Sequence, residues 1–226
     1  MSPQVAPEET SEARRTRRDA IMDAAIEVFG VRGLDGASVE DIARVAGIGK
    51  GTIYLSFKSK DEIFDAILAE RWPGPFLERS MPGILADANA LNTPLEVTLE
   101  AIANGFLEAV EKNMLVLRLA FSEAYRFPGR AEHLFETTFL KANRMLAEFL
   151  ERQQQAGKIR HLESPLIAAR CLQGMLMTYV LSQELLGGKR YTPITREAWV
   201  SEAVRIFLEG VRHNHEQQFA RQLERR

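Results

Sequence analysis

Between Gly49 and Lys60 the chain reads GKGTIYLSFKSK. Lys50, Thr52, Tyr54, Ser56, Lys58 and Lys60 crowd ammonium, hydroxyl and phenol groups into one short stretch. Such groups donate hydrogen bonds to phosphate oxygens and base edges, which is binding chemistry. Catalysis needs converging polar groups, and the sequence offers few. His213 and His215 are two apart, so a helix would point them to different faces. His213 and Glu209 are one turn apart and read as a solvated pair, while His133 and His161 have no partner legible from spacing. The GIGKGT run lacks the GK[ST] of a phosphate loop, and no strand precedes it. Cys171 sits in an apolar segment and reads as an inert core residue. No catalytic residue, metal site or cofactor is expected.

Those donors need a scaffold, and the flanking residues describe one. Ile21, Ala24, Ala25, Val28 and Phe29 form one apolar stripe at helical spacing. Gly33 is expected to end this first helix as a left-handed cap. Ser38 with Asp41 three residues on opens a second helix as a capping-box variant, with Ile42, Ala43 and Ala46 on its buried side. Gly47 supplies the tight turn into a third helix over 49–57, anchored by Ile53 and Phe57 one turn apart. Ser59 and Glu62 cap a fourth, whose Ile63, Ile67 and Leu68 face the same core. Short helices joined by a glycine turn are the layout of a helix-turn-helix, with the motif over 38–57.

With Ile53 and Phe57 inward, the third helix turns Lys50, Gly51, Thr52, Leu55 and Ser56 outward, with Tyr54 at the flank. The Thr52 methyl, and Leu55, can meet thymine methyls. Lys58 and Lys60 sit at the start of the next helix, where cations and free amides suit phosphate. Ser38 is first a cap and secondarily a phosphate contact. Arg14, Arg15, Arg17 and Arg18 precede the unit without an intervening acid. Alone, they would read as a solvated helix start; beside a DNA-reading unit, Arg17 and Arg18 become candidates for a phosphate or minor-groove arm.

The formal net charge of −2 over 226 residues argues at first against a nucleic-acid partner. Distribution matters more than sum. From Ser11 to Lys60 nine basic residues oppose seven acidic ones, so the remainder carries the acidity. A single cysteine rules out an intrachain disulfide and a multi-thiolate zinc site. The N-terminus lacks the pattern of a secretory signal, and the most apolar run, around 166–181, contains Arg170 and Gln173 and is short for a bilayer. A cytoplasmic protein without a membrane partner is expected.

The rest of the chain also reads as helical. Residues 1–12 are expected to be a disordered arm and 13–75 the DNA-binding domain, with Pro73 and Pro75 breaking the chain before a larger domain over 76–226. Thr93-Pro94 with Glu96, and Ser164-Pro165, combine a cap with proline at the first helical position. One long helix is expected over 131–155, closed by Gly157; another runs from Ser164 to Leu186, closed by Gly187-Gly188; a last one starts near Thr195. The fold class is all-α: an N-terminal helix-turn-helix domain plus a larger C-terminal bundle.

The helix from Ser164 is apolar on more than one face, as expected for burial on both sides. Either it is the central core helix of a monomer, or with the last helix it builds a four-helix dimer interface through Leu172, Met175, Tyr179, Trp199 and Phe207. A two-fold operator, with reading helices about 34 Å apart, favours the dimer. Phe106, Phe121, Tyr125, Phe139 and Met175 are candidate pocket walls, although residues at such spacing are core more often than pocket. Glu123, Arg118, Asn143 and Gln173 are candidate polar anchors, although each reads first as a surface or satisfied group.

The IxDAAxxxF helix, Gly33, SVEDIARVAG and KGTIYxxFKSKDEIF together resemble the TetR family of bacterial transcriptional regulators, over about the first third of the chain. The EAYRFPG and GGKRYTP stretches are similar to members with an AefR-like C-terminal domain. The resemblance implies a homodimer on a near-palindromic double-stranded operator and a C-terminal pocket for a small molecule, here of apolar or amphipathic character. It further implies a repressor that releases DNA when that pocket fills, and a phosphate contact from Tyr54. The family often has Ser or Thr at the position of Gly49, and a large polar residue at that of Ser56. The alternative is an all-α enzyme or small-molecule carrier that shares the fold without binding DNA.

Overall fold

The computed structural model describes residues 11–71, 76–126 and 128–212, and every regular element among them is helical. The expected arm thus lies mostly outside the described residues, as do the breaking prolines 73 and 75, while Ser11 and Glu12 already belong to the first helix. The chain forms two compact units.

The first unit contains α1 (Ser11–Gly36), α2 (Val39–Ala46), α3 (Lys50–Tyr54) and α4 (Lys60–Arg71). Both α2 and α4 pack on α1. Ile21, Phe29, Ile42, Ile53, Phe57, Ile63 and Phe64 lie at 0–1 % exposure. At roughly 1.5–3 kcal/mol for each large side chain withdrawn from water, this core dominates the unit's stability. Residues 115–130 pack with it too, although the sequence reading placed them in the second domain. They carry most of α7 (Met114–Arg126) and the start of α8 (Pro128–Leu134). The reason is burial: Val116, Leu117, Leu119 and Ala120 are all covered, a face whose destination spacing does not reveal.

The second unit spans residues 73–114 and 131–226. It contains α5 (Met81–Ala90), α6 (Leu95–Lys112), α9 (Lys141–Gln155), α10 (Pro165–Tyr179) and α11 (Arg196–Val211). Here α10 packs against α9 and α11, and α11 also packs against α6. Arg160 ties down the end of α11 by donating from its backbone N to the Val211 carbonyl at 2.9 Å and from Nε to the Gly210 carbonyl at 2.8 Å.

Several helix ends follow the sequence reading. Ser164 Oγ accepts from the Ile167 backbone N, and Thr195 Oγ1 from that of Ala198. Gly157 and Gly187 take positive φ at their helix ends. Other ends differ. Pro94 itself occupies the cap position of α6, with no side-chain cap bond, because the helix starts one residue later than Thr93 would require. The long helix expected over 131–155 is α8 and α9 joined by a π-helical stretch, Phe135–Leu140. Two further π stretches, Phe76–Ser80 and Val180–Leu185, precede α5 and continue α10. Each widens the turn and moves the apolar stripe off the regular spacing. Phe135, at the start of the second of these stretches, is 45 % exposed.

Candidate nucleic-acid interface and ligand cleft

The reading unit is assembled from its caps. Ser38 Oγ accepts from the Asp41 backbone N at 3.1 Å, and the Asp41 carboxylate accepts from the Ser38 N at 3.3 Å and Oγ at 2.8 Å. The same carboxylate pairs with Arg32 at 2.8 Å and with Arg44. These donors, Ser38 first and then the two guanidiniums, hold the Asp41 carboxyl below its ordinary range. Gly47 closes α2 in the left-handed region (φ 67, ψ 26). Gly33 is different. Its φ of 68 is positive as expected, but its ψ of 170 lies outside the left-handed helical cap, in a region essentially confined to glycine.

The helix α3 is shorter than expected. Regular helix ends at Tyr54, and Ser56 and Phe57 continue as a turn whose amides both donate to the Ile53 carbonyl at 2.9 Å. Gly49 stands at its cap without a side-chain bond. Ile53 and Phe57 are buried, so the opposite face turns outward: Lys50, Gly51, Tyr54 and Leu55 are exposed, while Thr52 and Ser56 are half-buried. Leu55 is 74 % exposed.

The cations divide by what they touch. Lys50 pairs with Glu40, and this mutual hydrogen bond raises the lysine's pKa and lowers the glutamate's. Its Nζ also lies 5.8 Å from the Tyr54 ring centre. Lys58 has an exposed side chain, and its backbone N donates to Glu62 at 2.6 Å. Lys60, a predicted phosphate ligand, donates instead to the carbonyls of Asp35 and Ala37 at 3.1 and 3.0 Å and closes the end of α1. Arg17 donates to Ser56 Oγ at 3.4 Å, tying the predicted arm to the reading turn. Arg18 pairs with Glu70 at 2.9 Å and covers the Phe57 ring, so it supports the unit from behind.

The second unit contains an internal cleft of about 40 Å³ between α6, α9 and α10. Phe76, Phe106, Leu146 and Leu172 supply apolar wall, and Asn143 and Gln173 the polar part. The Phe76 ring lies against Gly105, where an added Cβ would come within 2.3 Å of it. Of the predicted wall residues, Phe106 lines this cleft. Phe121 belongs to the first unit at 45 % exposure, and Tyr125 is on the same helix with its side chain outside the described ones. Phe139 is half-buried and contributes its carbonyl to Asn143.

Met175 lines a separate surface groove of about 490 Å³ with Trp199, Ala198 and Ile206. Of the predicted dimer residues, Leu172, Tyr179 and Phe207 are buried in the chain's own core. Met175 and Trp199 remain half-buried at the surface. Trp199 Nε1 donates to the Met175 carbonyl at 3.0 Å, and its ring lies 5.7 Å from that of Tyr179. Tyr179 OH meets Glu111 at 3.3 Å, and Glu111 pairs with Arg196 at 2.9 Å. Burial first, and then Glu111 and Glu184, push the Tyr179 phenol up. Cys171, expected in the core, is exposed, because it falls on the outer side of α10.

Comparison with known proteins agrees with this architecture. Residues 21–67 match the bacterial regulatory proteins of the tetR family, and residues 97–210 match the AefR-like transcriptional repressor C-terminal domain. The fatty acid metabolism regulator protein of Bacillus subtilis is 39% identical over 77 residues, 34% of this chain and 39% of that one. The fatty acid degradation regulator FadR of Bacillus halodurans superposes with a TM-score of 0.66 at 23% identity, over 94% of this chain and 100% of that one. SmeT, solved as a complex with triclosan, superposes at 0.64 and 19% identity, over 88% of this chain and 93% of that one. The chain spans less than half the length of the first curated relatives it matches.

The chain belongs to the TetR family of bacterial transcriptional regulators, with an AefR-like C-terminal domain. The matched family is one of transcriptional regulators, and the alternative of an enzyme or carrier on the same fold is not favoured. Among the described residues no helix is long and apolar enough to cross a membrane.

Proposed function

We propose that the chain is a ligand-responsive repressor that acts in the cytoplasm as a homodimer on a near-palindromic operator. In this reading residues 13–75 hold the DNA-binding domain, and 76–226 serve ligand binding and dimerisation. Lys50, Gly51, Thr52, Tyr54, Leu55 and Ser56 meet the major groove, with Lys58 and Arg17 on flanking phosphates. Ser38, Arg18 and Lys60 hold the unit in shape. One observation carries the reading: Ile53 and Phe57 are buried at 0 % and 1 % while their neighbours on α3 face solvent, so the reading face is rigidly presented. The surface groove at Met175, Trp199 and Ile206 is the place for a second copy.

An apolar or amphipathic small molecule would enter the second unit and favour a dimer form whose reading helices no longer match successive major grooves. Release requires that it bind that form more tightly than the DNA-competent one. The SmeT–triclosan complex is an instance of this fold holding such a molecule. Selection of bound sequences from random duplex DNA tests the proposal. A palindrome with half-sites about one helical turn apart is expected. Equal weak binding to all duplexes would overturn it.

A further inference from the structure

Some side chains name a base by paired hydrogen bonds: arginine or lysine for guanine, asparagine or glutamine for adenine, aspartate or glutamate for cytosine. Between Gly49 and Phe57 the chain has no arginine, amide or acid, and Lys50 alone is left of that set. Lys50 is already paired with Glu40. Thr52 and Ser56 carry hydroxyls, which do not tell one base from another, and Ser56 Oγ accepts from Arg17. What the stretch presents besides is carbon. Leu55 is 74 % exposed at the end of α3, whereas Ile53 and Phe57 on either side of it are covered. Residues 51 and 55 lie one helical turn apart on one face. A Cβ added at Gly51 would meet nothing within 4 Å, so the surface one turn before Leu55 is open.

We propose that Leu55 sets the operator sequence by packing on a thymine methyl in each half-site, so that methyl contact outweighs paired hydrogen bonding in the discrimination. The inference rests on the proposed reading of α3 as the element in the major groove, and it names what is read there. The C5-methyl of thymine is the apolar group that the bases display in that groove. Cytosine has hydrogen on the same carbon, and the purines turn the polar N7 to the groove, so neither offers leucine an equal contact. Withdrawing one methyl from water is worth a factor of about four in affinity.

The test uses the full chain and the duplex recovered by selection from random DNA. Each thymine in turn is replaced by uracil, which removes only the methyl. Affinity is read by fluorescence anisotropy at one fixed ionic strength. At least one position in each half-site should weaken binding about fourfold, and replacing both symmetry mates about fifteenfold. Leu55→Ala removes an exposed side chain and should keep the melting temperature. In it the same replacements should stay within about twofold. Exchanging any purine for its 7-deaza form, which removes the N7 acceptor, should matter less than the uracil exchange. The inference is overturned if no uracil weakens binding by about twofold, if L55A keeps the full sensitivity, or if the 7-deaza exchanges weigh more. Should L55A not fold, the uracil and 7-deaza series on the unaltered chain decide. Equal weak binding to every duplex would sink the operator-binding reading and this inference together. A selected palindrome indifferent to methyl loss sinks this inference alone.

Discussion

The guanidinium of Arg18 lies over the ring of Phe57, 4.3 Å from its centre. Phe57 anchors the reading turn and Arg18 holds α1 to Glu70 on α4, so one contact joins three segments of the unit. A cation over an aromatic face is worth about 0.5–1 kcal/mol at such a site. Arg18→Ala should therefore lower the melting temperature and weaken operator binding, with little change in salt dependence. Lys58→Ala should keep the melting temperature and flatten the slope of log affinity against log salt by about 0.9, the loss of one phosphate contact. Salt titrations of both variants decide: equal changes in slope would refute the division.

Tyr54 and Ile53 are neighbours with opposite roles. Tyr54 is 48 % exposed and Ile53 fully covered. Tyr54→Ala should leave stability within about 0.5 kcal/mol and reduce operator affinity, whereas Ile53→Ala should cost about 2–5 kcal/mol of folding free energy. Denaturant titration beside gel-shift assays separates them. A folded Tyr54→Ala with undiminished affinity would remove the residue from the interface.

The two glycines of the reading unit make a graded pair. Gly47 has open space where a Cβ would go, so alanine there meets backbone strain alone, about 1–2 kcal/mol. Gly33, at φ 68 and ψ 170, occupies a region harder for any other residue. Gly33→Ala should destabilise more than Gly47→Ala in urea unfolding, and the reverse order would contradict the backbone reading.

Asp41 should make the unit acid-sensitive. Its folded pKa is lowered from the ordinary 3.8, chiefly by Ser38. A depressed carboxyl contributes stability that is present above its unfolded value and lost as pH falls through the folded one. Unfolding followed from pH 7 downward should show an acid limb below the ordinary carboxylate range, and Asp41→Asn should flatten it. An unchanged limb would assign acid loss to other carboxylates.

Ile206 is 47 % exposed on the groove that Met175 and Trp199 share. If this groove holds the proposed second copy, Ile206→Glu should convert dimers to monomers in sedimentation and reduce operator affinity with it. A dimer undisturbed by this charge would move the interface elsewhere.

Much of this was legible before any coordinates. The Ser38–Asp41 box, the Gly47 turn, the inward pair Ile53 and Phe57, and the Ser164 and Thr195 caps are local, and local patterns are written in adjacent residues. What stayed hidden depends on distant partners. Nothing near Lys60 announces that it will reach the carbonyls of Asp35 and Ala37. Nothing around Phe121 shows that its helix packs with the first unit. The π stretches at Phe135 and Val180 shift the apolar phase without a sequence mark. The cleft at Asn143 needs three helices to exist.

Cys171 is the only thiol in the chain, and it faces solvent. A spin label or dye would attach at one place per subunit, with no background to engineer away. Two copies would then report a single intersubunit distance, so the geometry of the assembly could be followed in solution as operator and effector come and go.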